Sequence, residues 1–286
     1  MSRRSKAIRR KKITNVIKYL LLVLVFVWTL FPVFWMINTS FRAQNDAMAI
    51  PPNLLSPLTL DNYIYDIQNT PILQNLGNSA IVIFTSIGLS ALIGVPAAYA
   101  LGRITFRGSR DIAFWILSTR MTSRIAIIIP LFLTWLSLGL LETTVGNYIS
   151  ISLTYLTFNL PLVVWMMRGF FEDIRKDIEE SAMLDGCSRL GSFTKIVFPL
   201  AMPGLVATII VCFIFSWNEF FFAFLLSKSA AQTAPVAVLN FYNSQGILWG
   251  RMCAASVLVM APVMIFALII RKYMITGLTF GVFKAQ

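Results

Sequence analysis

Apolar residues in this chain fall in long blocks separated by short polar stretches. Six blocks stand out: Val16–Ile37, Ala80–Leu101, Ile112–Leu138, Ile149–Met167, Leu205–Leu226 and Cys253–Ile270. A helix needs about 20 apolar residues to cross the hydrocarbon core of a bilayer. Inside lipid every backbone polar group must be satisfied within its own segment, which points to helices. The pattern therefore predicts an all-α integral membrane protein with six transmembrane helices. Little chain is left over for a soluble domain. The expected organisation is a basic segment over 1–15, a membrane domain over 16–270 and a tail over 271–286. Between Asn38 and Gly77 the residues Pro51, Pro52, Pro57 and Pro71 predict irregular chain with short amphipathic pieces.

Composition agrees, with 57% hydrophobic and 13% charged residues. The net charge of +12 raises the question of nucleic acid, but the placement of the charges answers it differently. Arg3, Arg4, Lys6, Arg9, Arg10, Lys11, Lys12 and Lys18 crowd the start. Arg103, Arg107 and Arg110 follow the second block, Arg168, Arg175, Lys176, Arg189 and Lys195 the fourth, and Arg271, Lys272 and Lys284 the sixth. The alternate connections carry only Arg42, Lys228 and the borderline Arg251. Positive residues stay on the cytoplasmic side, so both termini and the loop after the fourth block are expected there. The charge is a topology signal and gives no support to a nucleic-acid partner. The first block is too long for a cleavable signal and no small-residue cleavage site follows it, so it reads as an uncleaved span.

Candidate chemistry is sparse. There are three cysteines and no histidine. Cys187, Cys212 and Cys253 are scattered, which suits neither a disulfide framework nor a metal site. No nucleophile elbow and no phosphate-binding Gly-Lys-Ser/Thr sequence occurs, so the chain is expected to be no enzyme and to bind no ATP or other cofactor itself.

The loop after the fourth block is the strongest motif. Glu179 to Leu205 reads EESAMLDGCSRLGSFTKIVFPLAMPGL. Glu180 to Leu184 is good helix-forming sequence, with Glu179 and Glu180 suited to a helix start. Asp185-Gly186 follows, and Gly186 can take the left-handed conformation that ends a helix. A second short helix is expected from Ser188, with Pro199 and Pro203 leading into the next span. The expected product is a helix–turn–helix knob.

This stretch resembles the cytoplasmic EAA loop of binding-protein-dependent ABC importers. Glu180-Ser181-Ala182, three residues, Gly186, nine residues, Ile196 and Pro199 fit that pattern without a gap. Ser181 and Phe198 depart from it and keep the size or apolarity of the site. Further phrases resemble the maltose-type carbohydrate branch: Leu60-Asp61-Asn62-Tyr63, Leu138-Gly139-Leu140-Leu141, Arg168-Gly169-Phe170-Phe171, Trp217-Asn218-Glu219-Phe220 and the ending from Gly277 to Lys284. The resemblance runs from the first span to the tail. It implies a type I ABC importer transmembrane fold in a bacterial inner membrane, with a coupling loop over about 168–203. It also implies partners: a second homologous permease subunit, two ATPase subunits holding ATP and Mg, and an extracytoplasmic solute-binding protein. The tail is expected to touch the ATPase dimer. A permease for a non-sugar solute would carry the same loop. An ion-coupled carrier would leave the loop unexplained.

Two basic residues interrupt the third block. An Arg at mid-membrane costs about 2.5–3.5 kcal/mol on insertion scales, so Arg120 and Arg124 need compensation. On one continuous helix they are four apart and share a face. Counted from Asp111, Arg120 would lie about 13 Å deep. Three readings stay open: a translocation path meeting an anionic substrate, pairing with the partner subunit, or a span that starts later and leaves both at the interface. The first suggests an acidic oligosaccharide of the alginate type. Asn218 and Glu219 are the corresponding candidates in the fifth block, as a path or gate or as a structural hydrogen bond.

Overall fold

The computed structural model describes residues 3–49, 56–243 and 246–280. In chain order the helices are α1 (Arg3–Ser40), α2 (Gln44–Ala47), α3 (Asp61–Asn69), α4 (Ile72–Arg103), α5 (Ser109–Thr119), α6 (Arg124–Ser137) and α7 (Thr144–Asp173). They continue with α8 (Lys176–Leu184), α9 (Arg189–Ser192), α10 (Phe198–Trp217), α11 (Phe221–Leu226), α12 (Ala234–Ala237) and α13 (Trp249–Phe280). A single π-helical turn, Phe193–Val197, links α9 to α10. One two-residue antiparallel pair, β1 (Tyr242–Asn243) with β2 (Gly246–Ile247), is the sheet found among the described residues. Among the described residues five helices are each long and apolar enough to cross a bilayer, and the bent pair α5 and α6 makes six if counted as one span.

The chain divides into two compact units, residues 1–70 with 240–258 and residues 71–239 with 259–286. In the first unit α1 exposes apolar side chains on every side, from Ile13 to Phe34, as a lipid-facing helix does. Its end is tied down by polar groups. Asn62 Nδ2 donates to the carbonyls of Ser40 at 2.9 Å and Arg42 at 2.7 Å, and Ser40 and Tyr63 share a 2.6 Å hydrogen bond. Asn62 of the phrase seen in the sequence thus satisfies the last carbonyl of α1 and one two residues beyond it, while Tyr63 holds the Ser40 hydroxyl. The expected irregular segment contains α2 and α3, while Pro51 and Pro52 lie outside the described residues.

In the second unit α7 is the central helix, with α4 and α10 packed on it. Ile151, Tyr155, Val163, Met167 and Phe171 of α7 are buried against Val82, Ile83 and Ala98 of α4 and Val197 and Ala201 beyond the loop. Small residues allow close approach. A Cβ on Gly204 would collide with the Phe170 ring, so α10 meets α7 only because position 204 has no side chain. Polar side chains fasten the same layer. Asn159 Nδ2 donates to Ser86 Oγ at 3.2 Å and Ser216 Oγ at 2.9 Å, which joins α4, α7 and α10.

Two blocks read as continuous spans are broken. The third splits at residues 120–123, and α5 and α6 diverge by 88°. Around the split hydroxyls bond backward: Ser118 Oγ donates to Trp115 O and Thr119 Oγ1 to Ile116 O, both at 2.7 Å. Such bonds compete with helix continuation, and Thr122 and Ser123 have the same bias. Arg120 and Arg124 therefore lie on different elements, and the shared helix face expected for them does not exist. The fifth block splits at residues 218–220 between α10 and α11. At its other end α10 begins at Phe198, seven residues before the expected start, so Pro199 is inside its first turn. The last helix likewise runs on to Phe280, past the expected boundary at 270, and residues 281–286 of the tail lie outside the described residues.

Candidate functional site

The loop between α7 and α10 builds the expected knob. Lys176–Leu184 forms α8, with Asp177 and Glu179 in its first turn where carboxylates suit the dipole. It starts four residues earlier than Glu180, so Glu180 sits past that turn. The Arg175 guanidinium, 2.7 Å from Asp177, holds the Asp177 carboxyl below its usual range. Asp185 caps the C-terminus and Gly186 follows at φ +91°, the left-handed geometry expected of it. Cys187 N donates to Ala182 O at 3.0 Å and Gly186 N to Met183 O at 3.1 Å, closing the end of α8. Ser188 then caps α9, accepting from Gly191 N at 3.1 Å.

The knob has two faces. Glu179 and Ala182 are buried, while Glu180, Ser181, Asp185 and Gly186 are exposed. Ile196 lies half-buried in the π turn and Pro199 is exposed. At the tip Leu184 is 88% and Leu190 72% exposed, unusual for leucines on a charged loop. The buried face is held by residues the sequence did not single out as partners. Glu179 Oε1 accepts from Tyr99 Oη, and Oε2 lies 3.6 Å from Arg103 Nε. Arg103 Nη2 donates to Ile174 O at 2.6 Å. Nothing in the local sequence marks Tyr99 as a partner of this loop, and Arg103 reads there only as a topology charge.

A second cluster joins the two breaks. Arg124 Nη1, at the start of α6, lies 2.8 Å from Glu219 Oε2. Glu219 Oε1 accepts from Phe222 N at 2.9 Å, so the same carboxylate caps α11. Tyr155 Oη of α7 donates to Glu219 O at 3.3 Å. The Glu219 side chain is 1% exposed and that of Arg124 57%. The partner of Arg124 is thus in its own chain, an arrangement outside the three readings weighed from sequence. Arg120 caps α5 and lies 5.0 Å over the Phe215 ring, a cation–π contact. Asn218 is exposed, and its Nδ2 donates to Ile214 O at 2.8 Å within its own helix. Beside the α5–α6 break is a cavity of about 540 Å³ whose lining includes Trp115, Thr119, Thr122, Thr157 and Leu160.

A helical membrane domain with such a knob is a transport component of a definite kind. Residues 10–279 match the family model of the binding-protein-dependent transport system inner membrane component, and the chain belongs to that family. It is a multi-pass inner-membrane permease subunit of an ABC importer, non-catalytic, with the ATPase on a separate chain. It falls in the carbohydrate branch. It is 35% identical over 285 residues to the trehalose/maltose transport system permease protein MalG of Thermococcus litoralis, covering 96% of this chain and 98% of that one. It is 33% identical over 258 residues to the sulfoquinovosyl glycerol transport system permease protein SmoH of Agrobacterium fabrum, 89% of each. In fold it resembles a chain of a bacterial ABC transporter involved in the import of the acidic polysaccharide alginate, with a TM-score of 0.77, 24% identity and coverage of 93% and 98%.

Proposed function

We propose that this chain forms half of the translocation path of an ATP-driven carbohydrate importer and that its cargo is an acidic oligosaccharide. A second homologous permease subunit supplies the other half. Two ATPase subunits drive the pair through the knob, and an extracytoplasmic binding protein delivers the sugar. The observation that carries the coupling role is the two-faced knob. One face is anchored in the chain's own core, while Leu184 and Leu190 stand in solvent as an apolar tip in need of a partner.

The acidic cargo rests on the cationic groups at the α5–α6 break. Arg124 engages Glu219 through one nitrogen and remains 57% exposed, which leaves guanidinium N–H groups for a substrate carboxylate. Among the described residues Arg120 has no carboxylate within ion-pair reach. Two similar proteins are named for alginate and for a sulfo-sugar, and both kinds of cargo are anionic. The test is ATP hydrolysis by the complete complex in lipid, with its binding protein, given acidic or neutral oligosaccharides. Stimulation by acidic sugars alone, weakened by Arg120→Gln, is the expected result. Equal stimulation by neutral sugars returns both arginines to a structural role and leaves the importer reading intact. A Leu184→Asp variant is expected to lose co-purification with the ATPase; retention overturns the knob as the docking element.

A further inference from the structure

The knob is not merely attached to the membrane domain. It is locked to one particular helix. Glu179 on the buried face of α8 meets Tyr99 and Arg103, both in the last turns of α4. Arg103 also donates to Ile174 O, the residue that ends α7. The side chains of Arg103 and Glu179 are 3% and 10% exposed, so the ion pair is out of water and poorly screened. Tyr99 is in addition part of an aromatic cluster around Phe193. Its ring lies 4.5 Å from Phe193 and 5.7 Å, edge-on, from Phe171, and Phe193 is 6.0 Å from Phe198. Phe193 opens the π turn through which the knob continues into α10.

Three elements thus converge on two side chains. A surface loop that only needed fixing to its domain could use apolar packing alone. The Tyr99–Glu179 hydrogen bond and the Arg103–Ile174 hydrogen bond are directional, holding distance and angle together where apolar contacts can slide, and the buried 3.6 Å charge contact between Arg103 and Glu179 adds attraction between the same two elements. We infer that Tyr99, Arg103 and Glu179 are positioning residues of the transport cycle, forming a rigid joint that passes displacement of the knob to α4. They touch neither nucleotide nor sugar in this role, and they act through α8. The inference rests on the coupling role proposed above for the knob, and it names the helix that receives the motion.

The consequence is specific to coupling. With the joint broken, the knob still offers its exposed face to the ATPase, but its movement is taken up locally. ATP is then spent without a matching turn of the membrane helices. Tyr99→Phe removes one oxygen and keeps the ring against Phe193. Glu179→Gln removes the charge and keeps an acceptor for Tyr99. Arg103→Lys keeps the charge and loses the fork that reaches Ile174 O and Glu179 together.

The experiment uses the full complex in proteoliposomes with its binding protein, measuring sugar uptake and ATP hydrolysis in the same vesicles. The expected result is that sugar carried per ATP falls by about fivefold in Glu179→Gln and Arg103→Lys, and by less in Tyr99→Phe, while ATPase co-purification is unchanged. The double variant Tyr99→Phe with Glu179→Gln is expected to lose no more than the worse of the two singles, because both act on one contact. An intact complex with an unchanged ratio overturns the joint, even if both rates fall together. Tyr99→Phe guards against misfolding: if it assembles and keeps the wild-type ratio while the charged variants fail to assemble, the cluster is structural and the proposal is wrong. Failure of the coupling reading is separate and visible in the unmodified protein, where no ATPase would bind, and it removes both.

Discussion

At the scale of single residues, environment divides neighbours that look alike in sequence. Glu179 and Glu180 are adjacent acids, yet one is buried beside Arg103 and the other faces solvent. Asn218 and Glu219 divide in the same way. Glu219 has two roles at once, as partner of Arg124 and as cap of α11, so Glu219→Gln is expected to destabilise the protein by about 1–2 kcal/mol, chiefly through the weakened cap. Thermal unfolding in detergent measures this; a melting temperature equal to wild type would show the carboxylate to be dispensable there. Gly186 has a different reason for its identity. Nothing lies within 4 Å of a Cβ there, but φ is +91°, so Gly186→Ala costs about 1–2 kcal/mol through the backbone alone. Asn should cost less than Ala, since its side chain tolerates the left-handed region. Hydrogen exchange across α8 would report the loosened turn. Equal protection in all three proteins would deny the argument.

At the scale of elements, the informative features are two helix breaks and one close crossing. The break between α5 and α6 was written in the sequence as a run of hydroxyl and basic residues, Ser118 to Arg124, but inside an otherwise apolar block it reads equally well as an interrupted face of one span. Only the bend, 88°, decides between them. The crossing of α10 on α7 depends on Gly204 lying against Phe170. Adding a methyl group forces the ring or the helix to shift, so Gly204→Ala is expected to cost about 1–3 kcal/mol. Phe170→Leu in the same protein should recover part of that, because the obstacle is the ring. Melting curves of the single and double variants test the pairing, and additive losses would mean that the two positions do not share the contact.

At the scale of the whole molecule, pH enters through one buried acid in the unit of residues 1–70 and 240–258. Burial pushes Asp66 up to about 7 from its ordinary 3.8, against the opposing pull of the Arg251 charge. The folded state holds this proton more tightly than the unfolded chain does. The stability linked to it is therefore full below the unfolded value and is lost as pH rises through about 7. Melting temperature should fall from acidic to neutral pH more steeply in wild type than in Asp66→Asn, and parallel profiles would remove Asp66 as the cause. The sequence by itself determined the class of protein. Block length set the helices because lipid leaves the backbone no other partner, charge bias set the expected topology, and the fixed spacing from Glu180 to Pro199 marked the helix–turn–helix loop proposed to couple to the ATPase, because helix, turn and helix are local structures. Tertiary structure alone decided which charges meet. Arg103 and Glu179 are 76 positions apart and Arg124 and Glu219 are 95, and neither pair leaves a local signal, since an ion pair depends on where two helices come together and not on what lies beside either residue in the chain.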